Sequence, residues 1–164
     1  GDGSQLAGWC MSNGEGYGTH FAGEAYQRIE LSENGLDCRV VPASDPVGEG
    51  TYSAAEFMPA LIRDGEKLEN QDWTGEQPRA CFGAGDQGIY MLVIEGRYPD
   101  EGIRGTSVNT CADILLAYGC RNAINMDGGS SAILWYDGEY ITQSSSVTLR
   151  YTGGRPLPNA WVYG

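Results

Sequence analysis

The chain has 164 residues, of which 41% are apolar and 20% charged, a composition that buries one ordinary core and excludes wholesale disorder. Ten basic against 22 acidic side chains leave a net charge of −12, which repels a phosphate backbone and excludes general nucleic-acid binding. No apolar run approaches the roughly 20 residues that a bilayer span requires, so no membrane span is expected.

Residues 1–25 are rich in glycine and polar side chains and read as a loop-rich segment with at most one short strand. The folded domain is expected over 26–164. Tyr26–Leu31 alternates as a strand, Ser32–Gly35 turns it, and Leu36–Val41 returns. Residues 42–53 form a connection. Ser53-Ala54-Ala55-Glu56 has the spacing of a capping box and predicts a short helical turn. Ala60–Leu68 predicts a strand, a turn at Asp64-Gly65 and a return. Gly83–Gly88 matches G-x-G-x-x-G literally. A dinucleotide fingerprint opens into a helix, however, and here the β-branched run Ile89–Ile94 follows, so the segment is a hairpin turn. Between Ser107 and Tyr118, residues Val108, Cys111, Ala112, Leu115 and Tyr118 fall on one helical stripe, closed by Gly119. Ala123–Met126 leads into Asp127-Gly128-Gly129, and a hairpin about Asp137-Gly138 pairs Ala132–Tyr136 with Glu139–Thr142. Asn34-Gly35 and Glu95-Gly96 are read as further turns between strands. The fold class is α+β: a single domain with a mixed or antiparallel β-sheet, hairpins and one main amphipathic helix.

The five cysteines form no C-x-x-C pair and no metal-finger spacing. No metal and no cofactor are expected. His20 is the only histidine, and Gly128–Ala132 falls one residue short of a nucleophile elbow, so a Ser–His–Asp hydrolase has little to stand on. The densest polar string is Asn125-Met126-Asp127-Gly128-Gly129-Ser130-Ser131. Its paired glycines allow backbone N–H groups to converge on an anion and a ligand to come close. Nine of the ten basic residues are arginine, whose planar fork holds phosphate or carboxylate at two points. Carboxylate chemistry assisted by arginine is what remains.

That string, a short hairpin, and then Gly154-Arg155-Pro156 and Pro158-Asn159-Ala160 together resemble the phosphodiester glycosidase family. Upstream, Pro59–Lys67, Pro78-Arg79-Ala80, Val93–Arg97 and Thr106–Gly119 are similar to four further family motifs in the same order, so the resemblance covers roughly 26–163. Glu95 stands where the family has aspartate and Ala80 where it has threonine. The family's N-terminal motif is matched only faintly, by Ser12-Asn13-Gly14.

The resemblance implies hydrolysis of a sugar-1-phosphodiester, releasing a free sugar and a phosphomonoester. It makes Asp127, Arg79 and Glu95 the catalytic candidates. Substrate would be held by Asn125, Gly128, Gly129, Ser130, Ser131, Arg97, Arg155 and Asn159, the arginines on the diester anion and the amides and hydroxyls on the sugar. The implied partner is a phosphorylated glycan or glycosyl phosphodiester, and the implied setting is secreted or cell-surface, although no signal peptide is recognisable. The competing reading is a non-catalytic glycan or phosphoglycan binding module of a larger surface assembly. Trp135, Tyr136 and Trp161 are candidates to stack on a sugar, with at least two of them expected in the core.

Overall fold

The computed structural model describes residues 5–163. Strands β1 (Trp9–Ser12), β2 (Glu15–Gly18), β3 (Gln27–Leu31), β4 (Cys38–Pro42) and β5 (Ser53–Phe57) form a first sheet in the order β2-β1-β5-β3-β4. The second sheet has the order β7-β6-β10-β8-β9, from β6 (Ala60–Arg63), β7 (Glu66–Lys67), β8 (Arg79–Gly85), β9 (Gly88–Ile94) and β10 (Cys120–Asn125). Every described pairing in both is antiparallel. The helix α1 (Val108–Ala117) covers the second sheet, and β11 (Trp135–Tyr136) with β12 (Glu139–Tyr140) makes a separate ribbon.

Side-chain alternation along strands explains the layering. In the second sheet, Cys81 and Ala123 face the helix and pack with Val108, Cys111, Ala112 and Leu115. Their neighbours Phe82, Ala84 and Ile124 point the other way and meet Ile29, Leu31 and Val40 of the first sheet. The second sheet is thus buried on both faces, each large apolar side chain contributing about 1.5–3 kcal/mol. The helix starts where expected, with Ser107 Oγ accepting from the Thr110 N–H at 3.2 Å, and ends before Gly119 at φ +90°. The tail returns over the sandwich, where Trp161 stacks on Phe82 with ring centroids 3.8 Å apart.

Four expectations are corrected. The segment 1–25 is not merely loop: β1 and β2 form a hairpin on Asn13 (φ +52°) and Gly14 (φ +77°), and β1 takes the free edge of β5. Ser53–Phe57 is a strand rather than a helical turn, because β1 and β3 flank it on both sides and sheet pairing outweighs a local cap. Glu95-Gly96 is not a hairpin turn. The second-sheet strand begins at Cys120, three residues before the predicted Ala123. The G-x-G-x-x-G segment does join β8 to β9 through a tight turn, as expected.

The outward face of the first sheet is charged yet buried. Fully buried Arg28 donates Nε to Glu30 Oε1 at 2.7 Å, Nη1 to Ala43 O at 2.9 Å and Nη2 to Asp45 O at 2.7 Å. Glu30 Oε2 accepts from Arg39 Nε at 2.7 Å, Thr51 Oγ1 at 3.0 Å and the Gly48 N–H at 3.1 Å. Burial works against its charge, but the hydrogen bonds from Arg39, Arg28 and Thr51 outweigh burial and hold the carboxyl below its ordinary range. Glu56, opposite Arg28 in the strand register, is bonded by His20 Nδ1 and the Phe21 N–H. Trp9 stacks on His20 and lies under the Arg28 guanidinium.

Candidate functional site

The ladder between β8 and β10 sets the position of the Asp127 turn. Beyond Asn125, the Met126 N–H still donates to Ala80 O at 2.8 Å and the Gly129 N–H to Pro78 O at 3.0 Å. Asp127 and Gly128 therefore bulge from the end of the ladder before the short 3-10 segment Gly129–Ser131. Gly128 is required by close approach, since a Cβ there would lie 2.5 Å from Pro78 O. Gly129 adopts φ +58° and lies against the Arg97 guanidinium. Gly128→Ala should lower stability by about 1–3 kcal/mol through forced displacement of backbone. Thermal denaturation checks it, and an unchanged Tm would mean the turn has room that the geometry denies.

Arg155 joins the turn from the far side. Its Nη2 donates to Ser131 Oγ at 2.8 Å and to Asp127 Oδ2 at 3.2 Å. Arg97, itself at φ +71°, presents Nε and Nη2 to Gln77 Oε1 at 3.1 and 2.9 Å. Two guanidinium groups thus lie against one double-glycine turn, and Arg155 contacts its half-exposed carboxylate. That arrangement offers charge-assisted hydrogen bonds to an anion and a fixed negative charge beside it.

The structure gathers Asp127, Gly128, Gly129, Ser131, Arg97 and Arg155, and leaves other predicted residues elsewhere. Arg79 is buried, donating Nε to Thr106 O at 3.1 Å and Nη2 to Gly75 O at 2.9 Å, with its guanidinium facing Trp73. Burial lowers its pKa from the ordinary value. Its side chain braces the approach to the helix. Asn125 is also buried, donating Nδ2 to Met58 O at 2.8 Å. Glu95 Oε1 accepts from the Gln143 N–H at 2.7 Å and so anchors the segment after the ribbon. Ser130 is half-buried and its hydroxyl makes no hydrogen bond within the described residues, while Asn159 is exposed in the tail. Gln77 was missed, and nothing in its local sequence marks it as the acceptor that orients Arg97.

A cleft of about 410 Å³ lies at the opposite end of the same strands, walled by Asp37, Arg39, Glu49, Asp64, Asp86 and Arg121. It holds none of the predicted site residues, and its excess of carboxylates disfavours an anionic ligand. The Asp127 turn is the better candidate on chemistry.

The profile of the phosphodiester glycosidase family matches residues 3–163. The chain belongs to the phosphodiester glycosidase family. Among solved structures, this phosphodiester glycosidase domain is similar to the catalytic domain of zebrafish N-acetylglucosamine-1-phosphodiester alpha-N-acetylglucosaminidase, auto-inhibited by its pro-peptide, at TM-score 0.66 and 16% identity. That match covers 93% of this chain and 56% of the zebrafish one, so the domain spans just over half the length of that relative. A hypothetical protein from Synechocystis aligns at TM-score 0.45 and 19% identity over 74% of this chain and 32% of its own. No curated protein sequence matches. The family match takes in the N-terminal hairpin, whose turn carries Ser12-Asn13-Gly14, the faint counterpart of the family's N-terminal motif.

Proposed function

We propose that this family member hydrolyses a sugar-1-phosphodiester, breaking the bond between the anomeric carbon and the phosphate oxygen. Water supplies the new C1 hydroxyl, and the phosphate leaves as a monoester carrying the electron pair of the broken bond. The observation that carries the reading is the Asp127–Arg155–Ser131 constellation, with Arg97 across the same double-glycine turn. The two arginines would hold the diester anion, and Asp127 would stabilise positive charge developing at the anomeric carbon or orient water. A phosphomonoester is already a good leaving group, so a site that shows one close carboxylate among the described residues suits a diester better than an ordinary glycoside. An extracellular or cell-surface substrate glycan belongs to the same proposal.

The test uses the methyl diester of N-acetylglucosamine 1-phosphate, chosen from the chemistry named for the zebrafish relative. Phosphorus NMR should show methyl phosphate accumulating with enzyme, while methyl N-acetylglucosaminide stays intact. Faster release from the simple glycoside would overturn the reading. A second reading, a phosphoglycan-binding module without turnover, draws support from Arg79 and Asn125, whose side chains are occupied by the protein's own backbone. Binding of the diester without release of methyl phosphate would favour it.

A further inference from the structure

After the ribbon, residues 143–154 form a strap that leads into Arg155. Its backbone hydrogen bonds, among the described residues, are internal: Ser144 N–H to Arg150 O at 3.1 Å, Leu149 N–H to Ser146 O at 3.0 Å and Thr152 N–H to Leu149 O at 3.2 Å. Its polar attachments to the rest of the protein come from one short segment, through the side chains of Glu95, Tyr98 and Glu101. Buried Tyr98 donates its hydroxyl to Ser144 O at 2.6 Å. Glu101 takes Arg150 with both oxygens, Oε1 from Nη1 at 2.7 Å and Oε2 from Nη2. The same guanidinium donates Nε to Gln143 Oε1 and lies 3.8 Å from the centre of the Tyr98 ring.

The holding segment is itself closed, because Tyr98 and Ile103 exchange backbone hydrogen bonds at 2.8 and 3.0 Å. It also carries Arg97, whose guanidinium lies against Gly129. From Tyr98 a continuous path runs to the other site arginine. Fully buried Ser144 has its carbonyl fixed by Tyr98 and its N–H by Arg150 O. Its Oγ accepts from the Ser146 N–H at 3.2 Å and stands beside Gly154. A Cβ on Gly154 would lie 3.0 Å from that Oγ and 3.3 Å from Ser130 O. Gly154 is thus seated between Ser144 and the double-glycine turn, and the next residue, Arg155, bonds Asp127 and Ser131.

We infer that Tyr98, supported by the Glu101–Arg150 pair, is a positioning residue that places Arg155 through Ser144 and so sets its guanidinium relative to Arg97. This rests on the proposed function and deepens it: one segment governs both arginines of the anion grip, Arg97 directly and Arg155 through the strap. A phosphodiester anion offers two non-bridging oxygens, and two guanidinium groups hold both only at one relative placement. A displacement of about 1 Å at one of them is enough to spoil that fit. Tyr98 touches no substrate in this scheme. Without its hydroxyl, the buried Ser144 carbonyl loses its donor and the path to Gly154 loses its fixed point.

Tyr98→Phe removes one hydroxyl and keeps the ring beneath Arg150. Calorimetry with the methyl diester of N-acetylglucosamine 1-phosphate should show affinity about tenfold weaker than the parent's, with kcat little changed. In an Arg155→Lys background the same change should add nothing, because it acts through Arg155. Tyr90→Phe removes a hydroxyl bond to Tyr118 O, away from the strap, and should bind as the parent does. A full further loss in the Arg155→Lys background, or a like loss in Tyr90→Phe, overturns the positioning role. A parent that neither binds nor hydrolyses the diester sinks the proposed function instead, and the positioning role is then read without ligand. Nitrogen-15 NMR of the Arg155 guanidinium, assigned by its loss in Arg155→Lys, should shift in Tyr98→Phe and stay in place in Tyr90→Phe. An unmoved Arg155 signal in Tyr98→Phe overturns it. Circular dichroism checks folding. If Tyr98→Phe fails to fold, Glu101→Gln at the half-exposed end of the pair carries the same measurements, with a smaller shift in the same direction expected and none overturning the role.

Discussion

Arg28→Leu should cost about 3–5 kcal/mol of folding stability, far more than the loss of an exposed arginine. The guanidinium is fully buried and makes an ion pair with Glu30, a longer one with Glu56, and two hydrogen bonds to backbone carbonyls. Leucine removes the cation but leaves two buried carboxylates and the carbonyls of Ala43 and Asp45 without their donor. Replacing Arg28, Glu30 and Glu56 together by apolar residues should cost less than the single change, because no charge is then stranded. The effect depends on pH. The folded-state pKa of Glu30 lies below the ordinary 4.5, so its contribution is complete above that value and is lost as pH falls through the lower folded one. Without Arg28 that folded value rises, and the acid-unfolding midpoint should move upward. Urea melts of parent and variant from pH 7 to pH 3 measure both effects. Equal stability at pH 7 would show that water or rearrangement satisfies the carboxylates.

At the candidate site, Asp127→Asn should lower turnover of the diester by at least about 10²-fold, a few kcal/mol of barrier, with little change in diester affinity. Asparagine retains the size and most of the hydrogen-bonding capacity, including an acceptor for Arg155. It lacks the negative charge needed where positive charge develops, so the loss belongs to the transition state. Arg155→Lys should instead weaken binding of the diester, because a lysine cannot reproduce the two-partner grip on Asp127 and Ser131. Steady-state kinetics and calorimetry on both variants separate kcat from affinity. Full activity of Asp127→Asn would make it a turn residue only. Glu95 would then be the next carboxylate to test, although its Oε1 already accepts from Gln143.

The hairpins and the helix were legible because their signals are local. Asp64-Gly65 and Asp137-Gly138 both place two successive residues at positive φ, a turn chemistry that residue type alone announces. Asn13-Gly14 carries the same signature, yet the surrounding glycines hid it. Ala54 and Ala55 have no strong strand preference, and only neighbours from distant sequence make β5 a strand. The Asp127 turn and Arg155 were readable as chemistry, whereas Arg79 was not: a sequence shows a guanidinium but not the carbonyls of Gly75 and Thr106 that occupy it. The alternation of Tyr26–Leu31 showed a strand with Arg28 and Glu30 on one face, but alternation gives a face its polarity, not its cover, and both are buried. At least two of Trp135, Tyr136 and Trp161 were expected in the core, whereas only Trp161 packs there and the other two are exposed.

The stack of Trp161 on Phe82 gives the site arginine an indirect tether. Among the described residues, the stretch from Pro156 to Tyr163 makes no backbone hydrogen bond, so its attachment is ring against ring, in the layer between the two sheets. Such a tail opens without waiting for the sheets to unfold. Warming, or any change that loosens that layer, would therefore relax the anchor beyond Arg155 while the strands remain intact. The grip on an anion and the cohesion of the sandwich are in this way joined through one indole.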